Sequence, residues 1–313
     1  MRDEIVTIFG GAGFIGRHLV RRLAARGATL RVATRSPNSA GHLLPMGDPG
    51  QIVLVRFAED EMTLAKLVEG ASAVVNLVGI LFERRAGDFE RVHAVLPGRI
   101  GAAARAAGVG RLVHLSAIGA DPASASLYAR SKAQGEAAVR AAFPEAVILR
   151  PSIVFGPEDG FFNRFAAMAR IAPALPLVGG GTTRFQPVYV GDVAEAILAG
   201  LERPEAAGRT YELGGPKVYT FKELLEYVLR VTGRRRLLLP LPFPLARLQA
   251  CLLELLPNPP LTRDQVTLLE RDNVVSPGAA GLAELGITPT PLEVVVPDYL
   301  AAYRVCGPTL PVG

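Results

Sequence analysis

The sequence predicts an α/β fold in which helices cover both faces of a parallel sheet, followed by a smaller C-terminal α/β domain. Short apolar runs alternate with segments of helical periodicity through the first half of the chain, as in a doubly wound sheet. A glycine-rich turn joins the first apolar run to the first helix. The chain has 313 residues, of which 50% are hydrophobic, enough for a large core. These observations predict a Rossmann-type fold.

Residues 4–9 form the first predicted strand, and a glycine-rich segment connects it to a helix over residues 14–26. Gly10 can adopt the backbone angles of a tight turn, Gly13 has no side chain to block a phosphate, and Gly16 lets the helix pack closely. The helix directs unpaired N–H groups and its positive dipole end at an anion. The alternative is an ordinary glycine turn. The residues of the predicted pyrophosphate site are Gly10, Gly11, Gly13, Phe14, Ile15 and Gly16.

The end of the second predicted strand, residues 29–35, bears on the choice of cofactor. An NAD site usually has a carboxylate about 20 residues after the glycines, where it binds the ribose. Here Ala33, Thr34 and Arg35 occupy that region. The guanidinium of Arg35 can pair with a 2′-phosphate, and Arg17 is close enough to assist. NADP(H) is therefore favoured, with NAD(H) as the alternative; Arg35 could instead simply begin a solvated loop.

The alternation of strands and helices continues to about residue 154 and then becomes less regular and richer in proline. We therefore expect a nucleotide-binding domain over residues 1–156 and a smaller domain for a substrate or partner over 157–313. Part of 184–204 is expected to pack back onto the first domain. The further predicted strands are 52–57, 73–78, 111–115 and 147–154, and the helices are 62–69, 91–107 and 193–201, the last capped by Asp192.

A second chemical motif is the YxxxK sequence formed by Tyr128 and Lys132. Residues four apart share a helix face, so the phenol and the ammonium can address one bound ligand. In a reductase of this kind the tyrosine exchanges a proton with the substrate oxygen, while the lysine lowers the pKa of the phenol and holds the nicotinamide ribose. Ser116, at the end of the fifth predicted strand, precedes this pair. These three residues are the catalytic candidates.

Six segments of the chain resemble the atypical and extended members of the short-chain dehydrogenase/reductase family. Within that family they are similar to the NAD(P)H-binding accessory subunits of respiratory complex I and their bacterial relatives. The segments are 10–16, 75–79, 114–116, 128–132, 149–156 and 184–194.

The resemblance implies a role for each matching residue. Ser116 would lie beside the nicotinamide ribose, and Tyr128 and Lys132 would be the catalytic pair, with Lys132 also binding the cofactor. The adenosine side would be lined by Asn76, Leu77, Val78 and Gly79, and the nicotinamide would contact Pro151, Ser152, Ile153 and Val154.

Two departures from the family pattern weaken an enzymatic role. Ser116 is followed by Ala117-Ile118-Gly119 rather than by hydroxyl residues, which puts the carbonyl-binding hydroxyl in doubt. Ser124 and Ser126 could substitute, although a polar loop is the simpler interpretation. After the third strand, Phe57-Ala58-Glu59 stands where an adenine-contacting aspartate is usual.

Two functions therefore compete. In the first, the protein holds a nucleotide with little or no turnover, as an accessory or assembly subunit of complex I or a related quinone-linked membrane assembly. In the second, it is an NADPH-dependent reductase or epimerase with an apolar, quinone-related substrate. A fold and a motif do not separate these, because a site can hold a cofactor without turning it over.

Composition limits the partners and the location. The net charge is +5, and no basic stripe interleaved with aromatic residues occurs, which argues against nucleic acid. Cys251 and Cys306 are too few and too far apart for a disulfide framework or a metal site, so no metal is expected. The chain enters a strand almost at once, leaving no room for a signal peptide. We expect a cytoplasmic protein, or one peripheral on the inner face of the membrane.

The segment 237–256 is leucine-rich, with a predicted helix over 245–256. Its prolines and polar residues exclude a transmembrane helix. It either packs over the sheet or substrate pocket, or lies at an interface together with the arginines 234–236, which are otherwise a solvated run. His93 and His114 lie in apolar contexts and are expected to be packed histidines rather than ligands or bases.

Overall fold

The computed structural model describes residues 2–305. Its strands are β1 (Ile5–Phe9), β2 (Thr29–Thr34), β3 (Ile52–Arg56), β4 (Ala73–Asn76), β5 (Arg111–Leu115), β6 (Val147–Pro151), β7 (Val154–Phe155), β8 (Ala174–Val178), β9 (Arg184–Phe185), β10 (Val188–Tyr189), β11 (Thr210–Leu213), β12 (Tyr219–Thr220) and β13 (Leu237–Leu241).

The α-helices are α1 (Phe14–Ala25), α2 (Glu61–Val68), α3 (Leu96–Ala106), α4 (Leu127–Ala142), α5 (Phe162–Ile171), α6 (Val190–Glu202), α7 (Phe221–Thr232), α8 (Phe243–Leu253), α9 (Arg263–Leu268) and α10 (Leu292–Tyr299). A π-helical segment, Glu90–Val95, leads directly into α3. Short 3₁₀ helices occupy Pro37–Met46, Gly179–Gly181, Pro204–Ala206 and Leu300–Tyr303.

The chain forms two units, each built from several segments. The first unit comprises the residues up to Ser152 together with Val190–Gly214 and Val275–Pro289. The second comprises Ile153–Tyr189, Gly215–Val274 and the residues from Thr290 onward.

The first unit contains a parallel sheet of seven strands in the order β11-β6-β5-β4-β1-β2-β3. The strand order reverses between β1 and β4, and Phe9 is in register with Asn76 at the carboxyl ends of these strands. Ligands of open α/β sheets bind in the crevice at such a reversal. The predicted fold class is confirmed, and the glycine turn lies at the switch point.

Alternate side chains of the strands pack against the helices on the two faces of the sheet. Phe9 and Val74 join a buried cluster with residues of α2, α3 and α4. On the opposite side, α6 comes so close that a Cβ at Gly200 would lie 3.2 Å from the Val147 side chain. Arg22 of α1 and Glu195 of α6 form an ion pair of 2.9 Å, which ties the two helices together.

The second unit has an aromatic core and three two-stranded pairings, β7 with β10, β9 with β12 and β8 with β13. Phe161 contacts the rings of Phe162, Phe165 and Phe221 at centroid distances of 5.2, 5.0 and 6.1 Å. Buried beside this core, the Asp159 carboxylate accepts a hydrogen bond from the Tyr299 hydroxyl at 2.5 Å. No helix within residues 2–305 is long and apolar enough to cross a membrane.

Three predicted elements need correction. The run 147–154 is not one strand: β6 ends at Pro151, and β7 begins at Val154 and pairs with β10 instead. Asp192 does not cap a helix, because α6 begins at Val190 and places this buried carboxylate inside its first turn. There it still lies near the positive end of the helix dipole.

The leucine-rich helix runs over Phe243–Leu253 rather than 245–256. It begins earlier than predicted because Pro244 lies in the first turn, where the missing N–H costs no helical hydrogen bond. Cys251 on this helix is an exposed free cysteine. Cys306, for which the sequence likewise predicted no disulfide framework and no metal site, lies outside the described residues.

Candidate functional site

Each glycine of the first turn has its own steric role. Gly10 has a φ of +79°, and a Cβ there would lie 3.0 Å from the backbone of Leu77. A Cβ at Gly16 would lie 2.4 Å from the Gly11 carbonyl oxygen, so this glycine lets α1 pack against the turn. At Gly13, by contrast, the Gly10 oxygen at 3.3 Å is the only described atom within 4 Å. The space beside Gly13 is therefore open to a ligand.

The N-terminus of α1 faces this open space. Gly13 is its N-cap and supplies no side-chain oxygen to the first-turn N–H groups, and the first turn contains no acidic residue. These donors and the helix dipole suit an anionic group. Phe14, Ile15 and Arg17 belong to this first turn, and Gly11 packs against the side chain of Val32 below it.

Arg35 directly follows the last residue of β2 and is exposed. Because β1 and β2 are parallel and in register, Arg35 lies at the same edge of the sheet as Gly10. Its side chain forms no ion pair or hydrogen bond with any residue of the range 2–305. The guanidinium is thus available to a phosphate from solvent or from a nucleotide.

Asn76 organises the loop that follows β4. Its Oδ1 accepts a hydrogen bond from the Val78 N–H at 3.1 Å, which turns Nδ2 toward His114 Nδ1 at 3.2 Å. The Leu77 N–H also donates to the Phe9 carbonyl oxygen at 2.9 Å. The side chain of Asn76 is therefore engaged within the protein, and Leu77, Val78 and Gly79 present the loop beside the glycine turn.

Ser116 and His114 carry buried polar atoms with no partner among the described residues. Ser116 is 4% exposed and His114 is 1% exposed, and the unpartnered atoms are Oγ and Nε2. Because the Asn76 amide donates to Nδ1, the proton of the neutral imidazole resides on Nε2. An unsatisfied buried polar group costs about 1–3 kcal/mol. Two such groups near the end of one strand indicate that a ligand or water bonds there.

Tyr128 and Lys132 meet on one face of α4, as their spacing predicts. The Lys132 Nζ lies 5.9 Å from the centroid of the Tyr128 ring and donates to the Leu115 carbonyl oxygen at 3.3 Å. Burial lowers the pKa of Lys132 to about 8, while the nearby Glu136 carboxylate acts in the opposite direction. The ammonium therefore lies directly before Ser116, at the carboxyl end of β5.

His93 forms a hydrogen-bonded chain that connects the loop after β4 to α4. The Ile80 N–H donates to His93 Nε2 at 3.0 Å, so the proton is on Nδ1, which donates to Ser131 Oγ at 3.0 Å. The Ser131 hydroxyl in turn donates to the Tyr128 carbonyl oxygen at 2.8 Å. The imidazole also contacts the Tyr128 ring edge to face, at 5.3 Å between centroids.

Burial dominates the titration of both histidines, and the charge of Lys132 adds to it. The pKa of His93 is lowered to about 2 and that of His114 to about 3. Both imidazoles are neutral at physiological pH, which agrees with the prediction of packed histidines. The sequence analysis did not predict that His93 supports α4, the helix that bears Tyr128. Gly135 of α4 is the sequence feature that indicates this close packing, because a Cβ there would lie 1.8 Å from the His93 carbonyl oxygen.

A second unforeseen group is the ion-pair network behind Lys132. Arg150 of β6 donates to both carboxylate oxygens of Glu136, at 2.8 and 2.6 Å, and to Glu212 at 3.5 Å. The bidentate geometry fixes Glu136 one helical turn after Lys132. It keeps a negative charge near the buried ammonium.

The remaining candidates divide between the units or have structural contacts. Pro151 ends β6 and Ser152 follows it in the first unit, whereas Ile153 and Val154 belong to the second unit. The Pro151 carbonyl oxygen accepts a hydrogen bond from the Ile118 N–H at 3.0 Å. The Ser126 side chain caps α4 by accepting from the Ala129 N–H, and Ser124 Oγ accepts from the Ser126 N–H, both at 3.2 Å. These hydroxyls behave as loop and cap residues.

The first unit fits a nicotinamide dinucleotide. The glycine turn and the N-terminus of α1 suit a pyrophosphate. The unpartnered Oγ of Ser116 and the Lys132 ammonium lie near the carboxyl end of β5, which is separated from β1 by β4. Glu59, which stands where the aspartate is usual, is instead ion-paired with Arg91.

Comparison with known proteins agrees with this geometry. Residues 6–214 match the NAD dependent epimerase/dehydratase family. The chain is 38% identical to NADH dehydrogenase [ubiquinone] 1 alpha subcomplex subunit 9 of Arabidopsis thaliana, across 97% of this chain and 79% of that protein. The Mus musculus protein of the same name is also 38% identical, across 96% of this chain and 80% of its own length.

An enzyme is among the relatives. The ceramide reductase of Caulobacter vibrioides is 32% identical over 77% of this chain and 74% of that protein. Among solved structures, the dTDP-glucose 4,6-dehydratase DesIV of Streptomyces venezuelae, with NAD and TYD bound, has a TM-score of 0.73 at 23% identity and covers 96% of each chain. That likeness supports the fold.

The family resemblance predicted from the sequence is confirmed by the extent of these matches. The chain belongs to the NAD dependent epimerase/dehydratase family and, within it, to the group of NADH dehydrogenase alpha subcomplex subunit 9 proteins.

Proposed function

We propose that this protein is an accessory or assembly subunit of a respiratory complex I or a related quinone-linked assembly, and that it holds NADP(H) with little or no turnover. The observation that carries the proposal is the 38% identity to a named NADH dehydrogenase subunit across 97% of the chain. A likeness that extends through both units involves the surfaces of the protein as well as its nucleotide fold.

The nucleotide would be held by the residues of the first unit. The pyrophosphate would bind at Gly13 and the N-terminus of α1, and Arg35 with Arg17 would pair with a 2′-phosphate, which favours NADP(H) over NAD(H). Ser116 and Lys132 would hold the nicotinamide ribose. Pro151 at the end of β6 and Ser152 after it would contact the nicotinamide. When bound, the cofactor supplies a hydride donor or acceptor.

Low turnover is supported by the surroundings of Ser116. The hydroxyl residues that could share the binding of a substrate carbonyl, Ser124 and Ser126, are engaged in a turn and a helix cap. The residues after Ser116 are apolar. Ser116 alone would then have to serve both the ribose and a substrate.

A second candidate function is an NADPH-dependent reductase with an apolar substrate. It is favoured by the 32% identity to a ceramide reductase and by the retained pairing of Tyr128 with Lys132. In that case the Tyr128 hydroxyl would pass a proton to the substrate oxygen, and the ammonium of Lys132 would stabilise the phenolate. The hydrogen-bonded chain from Ile80 through His93 to Ser131 ends on the Tyr128 backbone carbonyl, so it would position Tyr128 and would not carry the proton.

We also propose a cytoplasmic location, peripheral on the inner face of the membrane. The protein would reach the assembly from the aqueous side. This matches a subunit that brings a soluble nucleotide-binding fold to a membrane complex.

Tyr128→Phe separates the two functions. It removes the proton donor while the ring retains its packing against His93, so NADPH affinity should be nearly unchanged. If the protein is an accessory subunit, cells carrying only the variant should retain assembled complex and its quinone reductase activity.

A reductase would respond differently. Substrate-dependent NADPH oxidation would fall by about a hundredfold or more, the scale of lost general-acid catalysis. The accessory role is wrong if the protein never co-fractionates with the complex and its deletion leaves quinone reductase activity unchanged.

A further inference from the structure

The second unit exposes a leucine-rich surface on α8 and the turn that follows it. Leu248, Leu252 and Leu255 are 62%, 65% and 82% exposed. Other exposed apolar residues of the second unit lie on β13 and at the end of α5. We define the leucine surface as Ile171, Leu237, Leu239, Leu245, Leu248, Leu252, Leu255 and Leu256, all exposed within the described part of the chain.

Helix α8 buries two alanines and exposes three leucines. Ala246 and Ala250 are fully buried in a cluster with Val178 and Val266. The leucines at 245, 248 and 252 lie on the opposite face. An ordinary surface helix turns its larger apolar residues to the core and polar residues to water, so α8 has the reverse arrangement. Exposing such a face to water is unfavourable in free energy. Contact with an apolar phase removes this penalty.

Strand β13 also exposes leucines, because alternate side chains of a strand point to opposite faces. It pairs with β8, and the Leu237 N–H donates to the Pro173 carbonyl oxygen at 3.3 Å, which brings Leu237 close to the end of α5. Leu237 and Leu239 are exposed, whereas Leu238, between them, packs against the aromatic core. Ile171, at the end of α5, therefore lies near the exposed Leu237.

The charges around the leucine surface are mostly positive. Residues 234–256 contain the arginines 234, 235, 236 and 247 and a single carboxylate, Glu254, which is ion-paired with Arg263 at 2.8 Å. Arg247 is ion-paired with Glu270 at 2.6 Å, so the excess positive charge lies on the arginines 234–236. The Arg236 guanidinium donates to the Ala169 carbonyl oxygen at 2.9 Å, next to Arg170 and Ile171. The side chain of Arg235, between Arg234 and Arg236 in the sequence, is exposed.

We propose that the leucine surface is a membrane-binding face, which inserts its leucines among the headgroups of an anionic bilayer while the neighbouring arginines bind lipid phosphates. Apolar residues beside a cluster of arginines are the combination that holds monotopic helices at an anionic interface. A face that docked on protein alone would need apolar area, but it would not need the excess of arginine at its edge.

This inference deepens the peripheral membrane location proposed above, and it requires no contact with complex I. The two claims therefore fail separately. Vesicle binding by the purified full chain tests the surface, whereas co-fractionation with a respiratory complex tests the accessory role.

The experiment is sedimentation of the purified protein with vesicles of phosphatidylcholine, with or without phosphatidylglycerol. We expect at least tenfold stronger partitioning onto the phosphatidylglycerol vesicles, weakened by salt. The double variant Leu248→Gln/Leu252→Gln should lose at least tenfold in partitioning. Arg235→Gln should lose about fivefold on anionic vesicles, corresponding to the loss of one arginine near the surface.

Met62→Gln is the matched control, because Met62 on α2 of the first unit is 66% exposed and lies outside the surface. It should bind vesicles as the wild type does. All variants should unfold at nearly the wild-type temperature, since each removes an exposed side chain.

Three results would overturn the proposal. The wild type could stay in the supernatant with both kinds of vesicle, or the double leucine variant could bind as well as the wild type. Loss of co-purification with the complex by the double variant, without vesicle binding by the wild type, would make the surface a protein interface instead.

Discussion

At the residue scale, the site depends on glycines that do different work although they belong to one motif. A Cβ at Gly16 would collide with the backbone of Gly11, whereas a Cβ at Gly13 would meet only the Gly10 oxygen at 3.3 Å among the described residues. Gly13 has a φ of −79°, which any residue can adopt. Gly16 therefore serves the fold, and Gly13 serves the ligand.

Gly13→Val should abolish nucleotide binding while the protein stays folded, because the branched side chain would occupy the space of the pyrophosphate. Gly16→Val is the contrasting variant and should lower the free energy of unfolding itself. Calorimetry with NADPH and thermal unfolding measure the two effects. Unchanged NADPH affinity in Gly13→Val would show that the phosphate site lies elsewhere.

Arg35→Asp should weaken NADPH binding by roughly 10- to 100-fold, the scale of a charge-assisted hydrogen bond, and should affect NADH much less. The variant replaces a contact to the 2′-phosphate with repulsion, and NADH has no such phosphate. Titration calorimetry with both nucleotides measures the difference. Equal losses for NADPH and NADH would refute the assignment of Arg35.

The sequence predicted the proximity of Tyr128 and Lys132 because residues four apart on a helix share a face. It did not predict the contact of Asn76 with His114 or of His93 with Ser131. The residues of each pair lie on different elements and are 38 positions apart. Local periodicity contains no information about which side chains meet across a sheet or between helices.

At the element scale, β5 and the π-helical segment bury neutral histidines, and this makes stability depend on pH. In the folded protein, burial holds the pKa of His93 at about 2 and that of His114 at about 3, whereas in the unfolded chain both titrate near 6.5. Below pH 6.5 the unfolded state therefore binds more protons, and the free energy of unfolding falls as the pH falls.

We expect each histidine to account for roughly 2–3 kcal/mol of lost stability between pH 6.5 and pH 4.5. Urea unfolding of the wild type, His93→Gln and His114→Gln at several pH values measures this. Each variant should be less stable at neutral pH but show a shallower decline toward acid. Parallel curves for all three proteins would contradict the assignment of neutral, buried imidazoles.

Most elements of the seven-stranded sheet could be predicted, since buried parallel strands are short apolar runs bounded by turns. The end of β6 could not, because residues 147–154 have the composition of one strand, although the Ser152 N–H donates to the Leu213 carbonyl oxygen and Val154 pairs with Val188. A strand's hydropathy does not show where its pairing partner changes. The start of α6 at Val190 was missed for a related reason, as Asp192 imitates a capping residue.

At the scale of the whole molecule, the chain passes between its two units several times. Strand β11 completes the seven-stranded sheet beside β6, yet about 60 residues separate them in sequence. The sequence indicated that part of 184–204 returns to the first domain, and the contacts assign Val190–Gly214 and Val275–Pro289 to the first unit. Such long-range pairing is set by tertiary packing, which a single sequence does not encode in any local window.

The similarity to known proteins extends over both units of the chain. The residues proposed to bind the nucleotide all lie in the family region 6–214, whereas the match to the NADH dehydrogenase subunits covers nearly the entire chain. A protein that had retained only its nucleotide fold would not need to keep the second unit. This is why we infer that the protein works as a subunit and not as a free nucleotide-binding domain.

The most direct test of that claim is to purify the tagged protein from detergent-solubilised membranes of its own cells and to identify the proteins and the nucleotide recovered with it. We predict recovery of NADH–quinone oxidoreductase subunits together with stoichiometric NADP(H), and recovery of the same proteins with Tyr128→Phe. Recovery of the protein alone from the soluble fraction, free of nucleotide and of respiratory subunits, would contradict the proposed function.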